Sequence, residues 1–159
     1  MRLGIFTIIL TAFAISGCQK TYPYEMAEPC NAAKKLIVDI LSGGSFYAEI
    51  TPISEHSFKI SNISYDYGKT YSDFELYFAK NPQLFSFLKE LFAGNCTLHW
   101  IERDPQEPKG DTGALFKSYL IDPKGKKQNL QNNQWIILKN GKKYEPWFLE
   151  VELRKMLGA

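Results

Sequence analysis

Alternation of apolar and polar residues runs through much of the chain and predicts a protein rich in β-strands. Residues 46–52 alternate strictly, which is typical of a half-buried strand. Residues 56–67 alternate as well, but the apolar phase slips at Asn62, and the slip indicates a β-bulge. The same signal predicts further strands over residues 70–78, 96–103, 114–122 and 133–138. Within 70–78 a helix capping box is the alternative, and the strand is preferred.

A first helix is predicted over residues 29–42. Pro29 suits the first helical position, and Gly43 with Gly44 would end the helix. Apolar residues at helical spacing, Cys30 among them, form a stripe that would pack on the sheet. This helix would therefore bring Cys30 to the buried side of the domain.

Two further helices are predicted in the second half of the chain. One begins at Pro82, is capped by Asn81 and ends at Gly94. The other covers residues 146–158, where acidic side chains precede basic ones in the order that the helix dipole favours.

Two lysine-rich turns are predicted near the C-terminal end. Asn140 followed by Gly141 indicates a type I′ hairpin, and residues 122–125 form the other turn. One continuous strand over about 128–138 is expected between them, which would place the two turns at opposite ends of the sheet. The alternative is two short strands broken at Asn132 and Asn133, which would bring the turns together. The lysines around the turns are Lys124, Lys126 and Lys127, and Lys139, Lys142 and Lys143.

These elements predict one α+β domain over residues 29–159, an antiparallel sheet with an N-terminal helix packed on it. The order of elements resembles cystatin-like and nuclear-transport-factor-like folds. The likeness concerns architecture only and implies no function. Apolar residues make up 45% of the chain and aromatic residues 14%, which is enough to build a hydrophobic core.

The N-terminal segment has the features of an export signal. Arg2 precedes an apolar run over residues 5–15 that is too short for a permanent membrane span. The run ends in Ile15-Ser16-Gly17-Cys18, which resembles the lipobox of bacterial lipoproteins. The alternatives are an ordinary signal peptide with a chance cysteine, or an uncleaved anchor.

The resemblance to lipoproteins implies an address and an anchor. Residues 1–17 would be cleaved, and Cys18 would carry a diacylglyceryl group and a further acyl chain such as palmitate. Residues 18–28 would then form a lipidated tether that holds the domain to the membrane. Gln19 stands where aspartate tends to retain such proteins in the inner membrane, which implies the outer membrane, facing the periplasm.

Two cysteines remain after Cys18. An even number in an exported chain predicts a disulfide between Cys30 and Cys96, with two buried free thiols as the alternative. The net charge of +2 and the exported address both argue against nucleic acid as a partner.

The common catalytic and cofactor motifs are not found. The two histidines lack metal-ligand spacing, and the sequence contains neither a nucleophile elbow nor a phosphate-binding glycine loop after a strand. No cofactor or metal is therefore predicted. The acidic loop over residues 104–111 lacks the order of a calcium-binding loop and is read as solvated.

Two function classes follow. The first is a non-enzymatic binding, accessory or inhibitor/immunity module that meets a protein or cell-wall partner. Its candidate binding residues are Tyr65, Tyr67, Lys139, Lys142 and Lys143. The alternative is a small envelope hydrolase that uses paired carboxylates. The candidates for that pair are Glu49, Glu55, Asp66 and Glu75.

Overall fold

The computed structural model describes residues 27–41, 44–66, 68–100, 115–131 and 134–158. The predicted signal, Cys18, Tyr67 and the acidic loop lie outside these residues. In chain order the described strands and helices are β1 (Ala27–Pro29), β2 (Lys35–Leu41), β3 (Ser45–Ser54), β4 (Ser57–Tyr65), β5 (Lys69–Tyr71), β6 (Phe74–Tyr77), α1 (Pro82–Phe92), β7 (Cys96–Trp100), β8 (Leu115–Phe116), β9 (Tyr119–Ile121), β10 (Lys127–Asn129), β11 (Gln134–Leu138), β12 (Lys143–Tyr144) and α2 (Trp147–Leu157).

The strands form two antiparallel sheets, so the predicted α+β class is confirmed. The smaller sheet has the order β1-β7-β11-β12, and the larger has the order β10-β9-β2-β3-β4-β5. Strand β6 also pairs with β4, and β8 also pairs with β2.

Helix α1 lies at the centre of the core and contacts both sheets. Phe58 of β4 packs against Phe85 of α1, with ring centroids 5.3 Å apart. Phe87 of α1 meets Tyr144 of β12 at 4.8 Å and Phe148 of α2 at 5.1 Å. The residues that join these aromatic rings in the core are mostly aliphatic and almost fully buried, as is usual for close-packed interiors.

Local signals in the sequence are confirmed where they depend on near neighbours. The Asn81 side chain accepts a hydrogen bond from the backbone N–H of Leu84 at 3.0 Å, and Pro82 follows it in the first turn of α1. The bulge is present, because the pairing of β3 with β4 shifts there and Asn62 has φ 52°. The C-terminal helix is present as α2, and Gly158 caps it in the left-handed conformation.

The helix predicted over residues 29–42 is wrong. Pro29 ends β1, and residues 35–41 form β2, with strands paired along both of its edges. Ile37 and Val38 are both buried although they point to opposite faces, so the strand lacks the alternation that would reveal it. β-branched residues of this kind favour a strand over a helix. The described residues before Pro82 contain strands only, so the helix behind the cystatin-like and nuclear-transport-factor-like comparison is not found there.

The predicted disulfide joins Cys30 to Cys96, with the two Cα atoms 5.3 Å apart. It connects the end of β1 to the start of β7 within the smaller sheet and does not fasten a helix. The backbone N–H of Cys30 also donates to the carbonyl of Cys96 at 3.0 Å. Ala27 and Glu28, assigned above to the tether, belong to β1, so the tether ends before them.

We expect replacement of both cysteines by alanine to destabilise the domain strongly. The bridge closes a sequence separation of 66 residues, for which the chain-entropy model gives roughly 4 kcal/mol of stabilisation. Thermal unfolding followed by circular dichroism measures the loss as a lower melting temperature. Two titratable thiols in the unfolded, non-reduced protein would contradict the bridge.

Candidate functional site

The turn between β11 and β12 is a three-residue loop. The N–H of Leu138 donates to the carbonyl of Lys142 at 2.9 Å, and the N–H of Gly141 donates to Leu138 at 2.8 Å. Gly141 has φ 85°, whereas Asn140 is not among the residues with positive φ. The hairpin is therefore confirmed, but the predicted type I′ turn is wrong, because that turn needs positive φ at both central residues. Gly141 supplies the one left-handed position that a three-residue loop requires.

The turn between β9 and β10 has the same hydrogen-bond pattern. The N–H of Asp122 donates to Lys126 at 2.9 Å, and the N–H of Gly125, with φ 87°, donates to Asp122 at 3.0 Å. The carboxylate of Asp122 accepts the backbone N–H groups of Lys124 and Lys126 at 2.9 and 2.8 Å. Asp122 thus fixes this loop and leaves the lysine side chains exposed.

The two lysine turns lie at the same end of the molecule. The expected continuous strand over 128–138 is wrong, because β10 belongs to the larger sheet and β11 to the smaller. A short crossing, residues 30–34, connects the two turns. Its Lys34 N–H donates to Ile121 beside one turn at 2.8 Å. The start of the crossing packs on Gly94, in the loop after α1. Asn95, which follows Gly94, accepts a hydrogen bond at 3.0 Å from the backbone N–H of Lys139 in the other turn.

We call this region the basic end. Three acidic side chains, Glu55, Glu90 and Asp122, belong to the same loops and to the last turns of α1. Lysines outnumber them, and all of these lysines are exposed. The lysines that define the basic end are Lys34, Lys89, Lys124, Lys126, Lys139 and Lys142.

A groove of about 280 Å³ runs between α1 and the β11–β12 hairpin. Phe78 lies in it with 57% of its surface exposed, and its ring packs edge-on against Phe85 at 6.0 Å. Lys89 and Lys142 also line the groove. Glu90 lines the groove as well, so its charged groups are two amines and one carboxylate beside an exposed aromatic ring. This excess of positive charge suits a ligand that is both apolar and anionic.

A second, more open cleft of about 750 Å³ lies between the β3–β4 hairpin and the start of β2. Ala33, Pro52 and Ile121 give it an apolar lining, and Lys34 contributes an amine. Ile53, next to Pro52, is 51% exposed. This cleft repeats the combination of apolar surface and lysine that the groove shows.

The predicted binding residues are only partly brought together. Lys139 and Lys142 belong to the basic end, and Lys143 is exposed on β12 beside them. Tyr65 lies elsewhere, because it pairs with Lys69 at the far end of β4 and its ring carries the guanidinium of Arg154 at 4.4 Å. The Tyr65 hydroxyl also contacts Arg154. Tyr65 therefore helps to hold α2 on the larger sheet.

The four candidate carboxylates do not converge. Glu55 lies in the β3–β4 turn and Asp66 directly follows β4, so the nine residues of that strand, about 30 Å, separate them. Glu49 and Glu75 lie on β3 and β6, which β4 separates by about 10 Å. Each accepts a hydrogen bond from a tyrosine on its own strand, Glu49 from Tyr47 and Glu75 from Tyr77.

Glu49 is held in its ionised form. Its carboxylate accepts hydrogen bonds from the amine of Lys35 and from the hydroxyl of Tyr47, each at 2.9 Å. The hydrogen bond from Lys35, with further ones from Asn62 and Tyr47, lowers the pKa of Glu49 although burial opposes the shift. Burial and the neighbouring Glu49 raise the pKa of Tyr47 to about 12. A carboxyl group with a lowered pKa is a poor proton donor at neutral pH.

The described residues offer little support for a metal site or a membrane-spanning segment. The described part of the chain contains no cluster of three metal-ligating side chains. No helix among the residues that the structure describes is long and apolar enough to cross a membrane. No protein-family model, curated protein or solved structure matches this chain. The basic end is therefore the feature of the described residues that bears most directly on function.

Several residues of the basic end were not singled out from the sequence. Phe78 was read as part of an alternating strand, and Lys34 and Lys89 stood in predicted helices. Ile53 follows the last residue of a predicted strand. Hydrophobicity cannot tell an exposed apolar residue from a buried one, so only the polar turn after β3 signalled that Ile53 lies near a loop tip.

We expect Glu49→Gln to lower the free energy of unfolding at pH 7 by about 1 kcal/mol, because it removes a charge-assisted hydrogen bond. The pKa of Glu49 is depressed in the folded state. Its contribution is therefore present above the unfolded value of 4.5 and is lost as the pH falls through the folded value. Urea unfolding should show the variant and the wild type converging in acid. Glu55→Gln, in an exposed turn, is the control, and a pH-independent difference for Glu49→Gln would contradict the assignment.

Proposed function

We propose that this chain is a lipid-anchored lipoprotein of the bacterial envelope whose folded domain is a non-enzymatic binding module. The observation that carries the proposal is the basic end, where lysine turns from two different sheets meet beside the exposed side chains of Phe78 and Ile53. Such a surface suits an acidic partner, and inhibitor/immunity or accessory roles both belong to this class. The partner would be an exported protein, the cell wall or the membrane itself.

Two features support the envelope address. The lipobox-like sequence ending in Cys18 resembles the processing site of lipoproteins. The bridge between Cys30 and Cys96 is typical of proteins that fold in an oxidising compartment such as the periplasm. We place the anchor in the outer membrane, facing the periplasm, because Gln19 follows Cys18.

The basic end favours binding over catalysis. Its charged groups are lysines on loops and helix surface, which act as mobile point charges. The hydrolase alternative requires two facing carboxylates separated by about 5 to 10 Å. Glu49 and Glu75 come nearest to this arrangement, on strands about 10 Å apart. They are also offset by two residues along β4, opposite Ser61 and Lys59. Each is bonded to a tyrosine of its own strand and not aimed at the other, so the alternative gains no support from them.

We expect Cys18→Ser to abolish labelling by a fatty-acid probe and to release the protein from the detergent-soluble membrane fraction, because the thiol is the proposed acylation site. The double variant Cys30→Ser/Cys96→Ser is the matched control and should keep its label. A Cys18→Ser protein that still labels and fractionates as before would show that the lipoprotein proposal is wrong.

We expect the basic end to make the contacts that define the module's role in cells. A photo-reactive amino acid in place of Asn140 should give crosslinked adducts, whereas the same group in place of Lys117, on the far part of the larger sheet, should give few. The charge reversal Lys139→Glu/Lys142→Glu should weaken binding about 25-fold or more and reduce the adducts accordingly, because each lysine near an anionic surface contributes about fivefold in affinity. The reversal Lys69→Glu/Lys117→Glu changes the net charge equally and should have little effect. Equal effects of both reversals would count against the site.

A further inference from the structure

The proposed tether enters the fold through β1, which runs towards the basic end. Strand β1 is the first described element, and Gln128 holds it by donating to the Glu28 carboxylate at 3.0 Å and to the Pro29 carbonyl at 2.9 Å. Gln128 is 5% exposed and stands two residues after Lys126. The first strand and the β9–β10 lysine turn are therefore parts of one hydrogen-bonded unit.

The length of the tether fits this placement. Ala27 begins β1 about 10 Å along the strand from Cys30 and the basic end. Eight residues, Gln19 to Met26, separate Cys18 from β1, and a chain of eight residues is at most about 28 Å long. A lipid on Cys18 would therefore hold the domain, with its basic end, close to the bilayer surface.

The charge of the described surface is concentrated at this end. Six lysines lie there with four acidic groups, Glu28, Glu55, Glu90 and Asp122, whereas at the far end of the larger sheet Asp39 and Asp66 balance Lys69 and Lys117. The described residues of the basic end include no arginine. Lysines act as point charges without the bidentate geometry that selects one carboxylate or phosphate, so they suit a continuous anionic surface.

The exposed apolar residues strengthen this interpretation. Ile53 and Phe78 are 51% and 57% exposed; Ile53 is the second-last residue of β3, and Phe78 directly follows β6, both at the basic end. Exposed bulky apolar side chains between lysines are typical of surfaces that lie in the headgroup region of a bilayer. A purely polar partner would gain nothing from contact with Ile53 and Phe78, whereas the acyl chains of a bilayer would.

We propose that the basic end docks on the anionic phospholipid headgroups of the membrane that carries the anchor. This inference rests on the proposed lipid anchor and names the partner of the same site. Lysine amines would contact the headgroup phosphates, while Ile53 and Phe78 would enter the boundary between headgroups and acyl chains. The opposite end of the larger sheet would then face away from the membrane.

The test compares the intact lipoprotein in two kinds of vesicle. One contains phosphatidylcholine with phosphatidylglycerol, and the other contains phosphatidylcholine alone, so the anchoring is the same and only the headgroup charge differs. Brief acetylation of lysines followed by mass spectrometry reports exposure. We expect Lys124, Lys126, Lys139 and Lys142 to react about fivefold more slowly in the anionic vesicles at low salt. Lys69 and Lys117 are the internal controls and should react equally in both.

Charge reversal separates docking from folding. Lys124→Glu/Lys142→Glu should remove the protection of Lys126 and Lys139, whereas Lys69→Glu/Lys117→Glu should leave it intact. Ile53→Ser/Phe78→Ser should weaken the protection without a change of charge. Equal acetylation rates in the two vesicle types would overturn the inference, as would protection of these lysines by purified cell-wall sacculi or an acidic protein alone.

The anchor and the docking surface can fail separately. An intact mass without acyl groups would show that the anchoring proposal is wrong. The same vesicle comparison on that non-acylated chain would still decide the docking, because protection of the four lysines by phosphatidylglycerol does not require the lipid on Cys18.

Discussion

The crossing from β1 to β2, residues 30–34, is the constraint on which the arrangement of both sheets depends. It begins at Cys30, which is bonded to Cys96. The N–H of Ala33 then donates to Phe92 at the end of α1 at 2.9 Å, and Lys34 pairs with β9 in the larger sheet. A Cβ at Gly94 would lie 2.9 Å from the Ala32 nitrogen, so only glycine lets the loop after α1 approach this closely. Five residues thus tie both sheets and the central helix together.

An element can be predicted from the sequence when the residues that determine it lie close together along the chain. The cap at Asn81, the bulge at Asn62 and the glycine at the end of α2 depend on nearby residues, and each was predicted. Strand β2 reads as a helix because it lies inside the larger sheet, paired with β9 and β3 along its edges, and is buried on both faces, as Ile37 and Val38 show. Its apolar spacing then matches a helical stripe by coincidence, and only the partner strands, one of them more than 80 residues away, reveal the difference.

The candidate site shows the same division. Each lysine turn was predicted from its own residues, including the hairpin at Gly141. That the turns meet was not predicted, because it depends on β10 and β11 entering different sheets. The even number of cysteines after Cys18 predicts the bridge between Cys30 and Cys96. That the bridge joins the neighbouring strands β1 and β7 is known only from the structure. Phe78 gives no signal of exposure, since an apolar residue in a strand pattern reads as core, and for Ile53 the only signal is the polar turn that follows it.

If the chain is anchored through Cys18 as we propose, the position of the disulfide has a mechanical consequence. Strand β1 is a three-residue edge strand, and backbone hydrogen bonds alone would let a pull on the tether peel it from β7. The Cys30–Cys96 bond stands at the inner end of that strand, so the load passes to β7, which lies between β1 and β11. Peeling therefore stops before the crossing at Ala33 and Lys34. The contacts that keep the two lysine turns together lie on the protected side of the bridge, so the surface we assign to binding retains its shape while the anchor is under tension.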